Sequence, residues 1–166
     1  MPSNDRRSPQ EWFSADCIPE DIETNLRIAH FAESIMPVSK RLRVLVVDDE
    51  ADMVDTLAFL LSAWGHEVQK AATGDEALQA ADSMSPDLIL MDIAMPGTDG
   101  WEVVRKLRGR PEYRDTLCVA LTGFGQEHDK RRSKEAGFDF HLVKPVDFTA
   151  LNIVLGEAAA RQPKSL

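Results

Sequence analysis

The chain has few cysteines, only Cys17 and Cys118 in 166 residues. Two thiols are too few for a cysteine metal cluster or a disulfide scaffold. Cys118 sits in the apolar run Leu117 to Leu121, where a small buried thiol is the expected role. Long hydrophobic stretches are missing as well. Nothing approaches the ~20 apolar residues that cross a bilayer, and Asp5, Arg6, Arg7 and Glu11 precede any apolar run. Neither a membrane span nor a signal peptide is expected, and the cytoplasm is the expected compartment. Positive charge is also short, with 19 Lys and Arg against 28 Asp and Glu and a formal charge of −9. Nucleic acid and anionic membranes attract clustered basic side chains. Neither is expected as a partner; a protein, a cation or a phosphoryl donor is.

With 43% hydrophobic and 28% charged residues, the composition suits one globular core. Residues 1–40 stand apart: they are polar, contain Pro2, Pro9, Pro19 and Pro37, and show no strand-like run. They read as an N-terminal extension. Within it, Glu20 to Met36 predicts a helix, because Ile28, Phe31, Ala32 and Ile35 recur at helical spacing before Pro37. Docking on the domain, pairing with a second copy into a dimer, and staying apart from both are left open as its roles. Residues 161–166 read as a C-terminal tail.

Between these ends, residues 41–160 alternate strand and helix five times. Leu42 to Val47 is an unbroken β-branched run of the kind buried on both faces in a parallel sheet. Met53, Leu57, Leu60, Leu61 and Trp64 form a helical stripe closed by Gly65 as a left-handed cap. A short strand near Val68 to Ala72 precedes a helix that Asp75 and Glu76 favour in its first turn and that reaches about Met84. Leu88 to Met91 predicts the third strand, with Trp101, Val104 and Leu107 lining the helix after it. Cys118 to Leu121 is the fourth strand and Phe140 to Val143 the fifth. The helix between them, Gln126 to Ala136, is almost wholly polar and is expected to be the least firmly packed. Phe148, Leu151, Leu155 and Ala158 line the last helix. Such alternation predicts a doubly wound α/β fold, in which ligands bind at the carboxyl ends of the strands.

Polar groups suited to a phosphate and a cation gather at those ends. Asp48 and Asp49 follow the first strand, Asp92 the third, Thr122 the fourth and Lys144 the fifth. An acidic residue after one strand is often only a helix cap, but capping does not account for four strand ends at once. With strands ~4.8 Å apart, the carboxylates converge and the Lys144 stem reaches in. At about 5 Å and an effective dielectric near 20, each carboxylate pair repels by about 3 kcal/mol, so the cluster calls for a cation. No His or Cys is placed to join it, which favours Mg²⁺ or Mn²⁺ over zinc. This leaves Asp92 as nucleophile, Thr122 as donor to a phosphoryl oxygen and Lys144 as its counter-ion.

The run Val44 to Glu50 (VLVVDDE), the segment Leu88 to Gly100 (LILMDIAMPGTDG), Leu121-Thr122-Gly123 and Val143-Lys144-Pro145 closely resemble the receiver domain of bacterial response regulators. The resemblance spans about residues 41–160. It implies a flavodoxin-like (βα)₅ fold with strand order 2-1-3-4-5 and phosphorylation on Asp92 from a phosphohistidine or small acyl-phosphate donor. It further implies Mg²⁺ held by Asp48, Asp49, Asp92 and the backbone carbonyl of Ala94, phosphate contacts from Thr122 and Lys144, and a cis bond before Pro145. Ala94 and Phe124 take positions that tune hydrolysis in the family. The implied partners are a sensor histidine kinase or phosphotransfer protein, and a downstream protein meeting the face of the fourth helix, fifth strand and fifth helix. Beyond its own phosphotransfer and autodephosphorylation, no enzymatic activity is implied, and no output module is expected after Leu166.

Two positions depart from the family pattern. Thr98 stands where an apolar residue is common, and His141 replaces the usual Tyr or Phe three residues before Lys144. His141 reads either as an edge-strand side chain satisfied by water or as a switch ring that turns inward beside Thr122. His66 and His128 read as surface residues, and no flanking motif supports His30 as a phosphohistidine. A haloacid-dehalogenase phosphatase would need a second Asp where Ala94 stands. A phosphorylation-independent receiver-like interaction module is the remaining alternative.

Overall fold

The computed structural model describes residues 40–123 and 127–161. The expectations for the extension before Lys40, including Cys17 and His30, for Phe124, for the side chain of His128 and for the tail after Arg161 lie outside the described residues.

The elements follow in the order β1 (Arg43–Val47), α1 (Ala51–Ala63), β2 (Glu67–Ala71), α2 (Gly74–Met84), β3 (Leu88–Asp92), α3 (Gly100–Arg108), β4 (Leu117–Thr122), α4 (Glu127–Ala136), β5 (Phe140–Val143) and α5 (Phe148–Arg161). A 3₁₀ turn, Pro111–Tyr113, precedes β4. All strand pairings are parallel and the sheet order is β2-β1-β3-β4-β5, the predicted flavodoxin-like arrangement. Boundaries moved by a residue or so: β4 extends through Thr122 and β3 through Asp92, so both polar groups are the last residues of strands.

The three inner strands carry apolar side chains on both faces, and alternation sends them to two separate cores. Leu45, Val47, Ile89, Met91, Cys118 and Ala120 face α2, α3 and the end of α4. Val44, Val46, Leu88, Leu90, Val119 and Leu121 face α1 and α5. Burying each large side chain contributes about 1.5–3 kcal/mol, which is why continuous apolar runs become inner strands and the mixed run Glu67–Ala71 an edge. Cys118 is buried, and burial pushes its thiol pKa up to about 12, leaving it an inert packing group.

α1 closes as expected on Gly65, at φ +90°. The Gly65 N–H donates to the Ser62 carbonyl and the His66 N–H to that of Leu61, the paired bonds of a Schellman turn. This corrects the surface reading of His66. Its position just past the turn folds the side chain back over the helix end, so it is buried and its Nδ1 accepts from the Leu42 N–H at 3.3 Å.

α4 has the polar surface expected of it, with Ala136 as its buried apolar residue among the described ones. Polar contacts hold it instead. The Trp101 Nε1–H donates to Ser133 Oγ at 3.0 Å, and Arg132 pairs with Asp99 at 3.0 Å.

Candidate functional site

In the order β2-β1-β3-β4-β5 the chain leaves β1 in one direction and returns beyond it to β3, so a crevice opens between the carboxyl ends of these two strands. β1 delivers Asp48 and Asp49 there, and β3 delivers Asp92. One carboxylate oxygen from each lies within 4.8 Å of the other two. Asp48 and Asp92 are buried, while Asp49 is exposed.

Local hydrogen bonds fix the two buried carboxylates. Asp48 Oδ1 accepts from the Glu50 N–H at 2.9 Å, and Asp92 Oδ1 accepts from the Ala94 N–H at 2.8 Å. Both are side chain to backbone two residues on, the turn that Asp favours after a strand. Their second oxygens turn to Lys144, whose Nζ lies 2.5 Å from Asp48 Oδ2 and 3.1 Å from Asp92 Oδ2. The Asp48 contact is a close charge pair, and beside Lys144 no other donor reaches that buried oxygen among the described residues. Burial works against the Lys144 charge, but the two carboxylates outweigh it and its pKa is raised.

Lys144 is held in turn. Its backbone N–H donates to the Thr122 carbonyl at 2.7 Å, continuing the β4–β5 ladder, and its bond to Pro145 is cis. Thr122 is buried, and its Oγ1 lies 2.8 Å from Nε2 of His141, itself buried. The reading of His141 as an edge side chain satisfied by water is therefore corrected: the ring lies inward. β5 places His141 beside Ala120, whose small side chain leaves room for it.

The loop after Asp92 is equally constrained. Gly97 has φ +70°, and a Cβ on Gly100 would come 2.8 Å from the Asp92 carbonyl oxygen. Thr98 uses both parts of its side chain: Oγ1 accepts from the Gly74 N–H at 3.4 Å, and its methyl fills the space a Cβ on Gly74 would need. Asp99 caps α3 by accepting from the N–H groups of Trp101 and Glu102, and its other oxygen takes Arg132 from α4. Sequence reasoning missed this group of Asp99, Trp101, Arg132 and Ser133. Its members lie 32 and 33 residues apart across two helices, and periodicity carries no sign of such a pairing.

A family model described as the response regulator receiver domain matches residues 44–155. This chain belongs to that family. The receiver domain is 40% identical over 108 residues to a gliding motility regulatory protein of Myxococcus xanthus, covering 65% of this chain and 14% of that protein. It is 37% identical over 105 residues to protein PilH of Pseudomonas aeruginosa, covering 63% of this chain and 87% of PilH. The chain thus spans a small part of the first relative and most of the second. Among solved structures, the chemotaxis response regulator CheY4 of Vibrio cholerae superposes with a TM-score of 0.66 at 32% identity, over 71% of this chain and 99% of that one. Receiver domains act in two-component signalling with histidine kinases or phosphotransfer proteins and with downstream targets, and generally bind Mg²⁺ in an acidic pocket. Among the described residues, no helix is long and apolar enough to cross a membrane.

Proposed function

We propose that this receiver domain is a phosphorylation switch whose phosphoacceptor is Asp92. The observation that carries the reading is Lys144, which bridges two buried carboxylates, Asp48 and Asp92, at the switch point of the sheet. Burying a second acidic group and a cation beside a carboxylate is costly unless the site handles charge in its work.

In this reading an Asp92 carboxylate oxygen attacks the phosphorus of a phosphohistidine or a small acyl phosphate. A P–O bond forms, the P–N or P–O bond to the donor breaks, and the donor leaves with the electron pair. Lys144 and the Thr122 hydroxyl then face the new phosphoryl oxygens. Asp48, Asp49, Asp92 and the carbonyl of Ala94 would hold Mg²⁺ or Mn²⁺, and an all-oxygen set with one carboxylate oxygen from each Asp within 4.8 Å of the others fits such a hard ion. When bound, the ion supplies positive charge that offsets the carboxylates and the incoming phosphoryl group. Attack of water on the acyl phosphate returns the domain to its starting state. Output passes through the face of α4, β5 and α5, where Val143 of β5 is an exposed large apolar side chain.

The test is incubation with a labelled phosphohistidine donor and Mg²⁺. Wild type should take up label that is acid-labile and lost on treatment with hydroxylamine, and Asp92→Asn should take up none. Equal labelling of the two proteins would overturn the assignment of Asp92.

A further inference from the structure

His141 occupies the position where the family usually has Tyr or Phe, and its setting restricts how its proton can be placed. Nε2 lies 2.8 Å from Thr122 Oγ1. Nδ1 is buried and has no hydrogen-bond partner among the described residues. Burial lowers the pKa of the ring, with Lys130 adding to the effect and Asp129 opposing it, so near neutral pH it carries one N–H.

Two tautomers are available. With the proton on Nδ1, a donor is stranded in the core and the Thr122 hydroxyl spends its hydrogen on Nε2. With the proton on Nε2, the ring donates to Thr122 Oγ1 and only an acceptor is left unpaired. Stranded acceptors are tolerated more often than stranded donors, so the second form is favoured. It also frees the Thr122 hydrogen. Thr122 ends β4 one residue beyond Leu121, the register partner of Asp92, which puts its hydroxyl at the same edge as the phosphoacceptor. A hydroxyl that accepts one hydrogen bond becomes a stronger donor of the next.

We propose that His141, as the Nε2–H tautomer, is a positioning residue that orients and polarises the Thr122 hydroxyl toward a phosphoryl oxygen at Asp92. The inference rests on the phosphoacceptor reading above. It assigns to a core imidazole a part in binding the phosphoryl group, through a chain running from His141 Nε2–H to Thr122 and on to the phosphoryl oxygen. Ala120, beside His141 in the sheet, makes room for the ring that starts this chain.

The experiment uses the full chain with Mg²⁺ and beryllofluoride as the phosphoryl mimic. Affinity is read by calorimetry and the tautomer by nitrogen NMR of the histidine rings. The wild-type ring should show a protonated Nε2 and a bare Nδ1, before and after beryllofluoride. His141→Phe should bind the mimic roughly tenfold more weakly, about the worth of the one neutral hydrogen bond that Thr122 loses. His141→Gln, whose amide N–H can donate in place of Nε2, should stay within about threefold of wild type. Adding His141→Phe to Thr122→Ala should cost nothing further, since the two act in series. A protonated Nδ1, a His141→Phe protein that binds as tightly as wild type, or full additivity in the double variant would each overturn the proposal. The ring NMR needs only the wild-type protein, so it decides even where a variant fails to fold. Asp92→Asn supplies the baseline. A wild type no better than that baseline would remove the phosphoacceptor reading and this inference together, whereas a wild type that binds while His141→Phe matches it removes the inference alone.

Discussion

Arg132 lies over the face of Trp101, its guanidinium carbon 3.8 Å from the ring centroid. The same guanidinium pairs with Asp99, and the indole N–H of Trp101 reaches Ser133. α4 is thereby fastened to the start of α3, immediately after the loop that follows Asp92. A helix with little apolar surface gains from this group what a hydrophobic stripe would otherwise supply, while polar contacts remain easier to exchange than packed side chains.

Removing this clamp should loosen α4 before it unfolds the domain. Arg132→Ala gives up a cation–π contact and a half-exposed ion pair, about 1–2 kcal/mol together, and Trp101→Phe gives up the hydrogen bond to buried Ser133, about 1 kcal/mol. Hydrogen exchange of the Glu127–Ala136 amides should accelerate in both variants while the β1 and β3 amides change by less. Unchanged exchange across α4 would show that the clamp does not hold the helix.

The charge on Lys144 offsets the same carboxylates that a divalent ion would offset. Without the ammonium, the carboxylates of Asp48 and Asp92 face each other in the buried crevice. Lys144→Met should therefore lower stability in chelator by about 1–3 kcal/mol. Millimolar Mg²⁺ should raise the melting temperature of wild type and raise that of Lys144→Met by more, because the ion stabilises whichever state binds it. Asp49→Ala should respond to Mg²⁺ less than either. Melting curves that ignore Mg²⁺ in all three proteins would count against a cation site.

Gly100 is a steric requirement of the site. An added Cβ would meet the Asp92 carbonyl oxygen at 2.8 Å and the Ile93 Cα at 3.0 Å, and both are backbone atoms that cannot rotate away. Gly100→Ala should destabilise the domain by about 1–3 kcal/mol, the usual cost of overpacking, and should slow phosphorylation by displacing the chain just after Asp92. A denaturant midpoint and a phosphorylation rate both equal to wild type would contradict this.

His66 gives stability a dependence on acid. Burial lowers its pKa below the ordinary value of about 6.5, so between the folded and unfolded values the unfolded chain binds more protons. Its contribution is fully present above about pH 6.5 and is lost as pH falls through the folded value. Protonation at Nδ1 would also break the bond from the Leu42 N–H. His66→Leu should be less stable than wild type at pH 8, where that N–H loses its acceptor, yet should lose less stability between pH 7 and 5. His141 contributes with the same sign, so the slope should shrink without vanishing. Denaturant unfolding at several pH values checks both parts, and parallel wild-type and variant profiles would contradict the role of His66.

Much of this was legible in the sequence because it follows from local periodicity. Runs such as Val44–Val47 and Leu88–Met91 have to be inner strands, and the positions just past such runs are where a parallel sheet gathers its ligands. Asp48, Asp49, Asp92, Thr122 and Lys144 could be placed at one edge on that ground alone. Other features depend on three-dimensional neighbours that no periodicity encodes. His66 reads as a surface residue in the sequence, and it is the Schellman turn after α1 that brings it inward. For His141 the sequence leaves an edge side chain and an inward ring both open, because the space for its ring is provided by Ala120 on a different strand. Arg132 and Ser133 read as part of an almost wholly polar helix, and their partner Trp101 reads with Val104 and Leu107 as the apolar stripe of a different helix.

If one carboxylate, Asp92, carries the phosphoryl group, borohydride will mark it. Hydride reduces an aspartyl phosphate to homoserine and leaves a free carboxylate untouched. After incubation with an acyl-phosphate donor and Mg²⁺, then reduction and peptide mass mapping, homoserine should appear at position 92 and nowhere else, and only when donor and Mg²⁺ were both present. Homoserine at position 48 or 49, or an unmodified Asp92 in a protein that has taken up phosphate, would contradict the account.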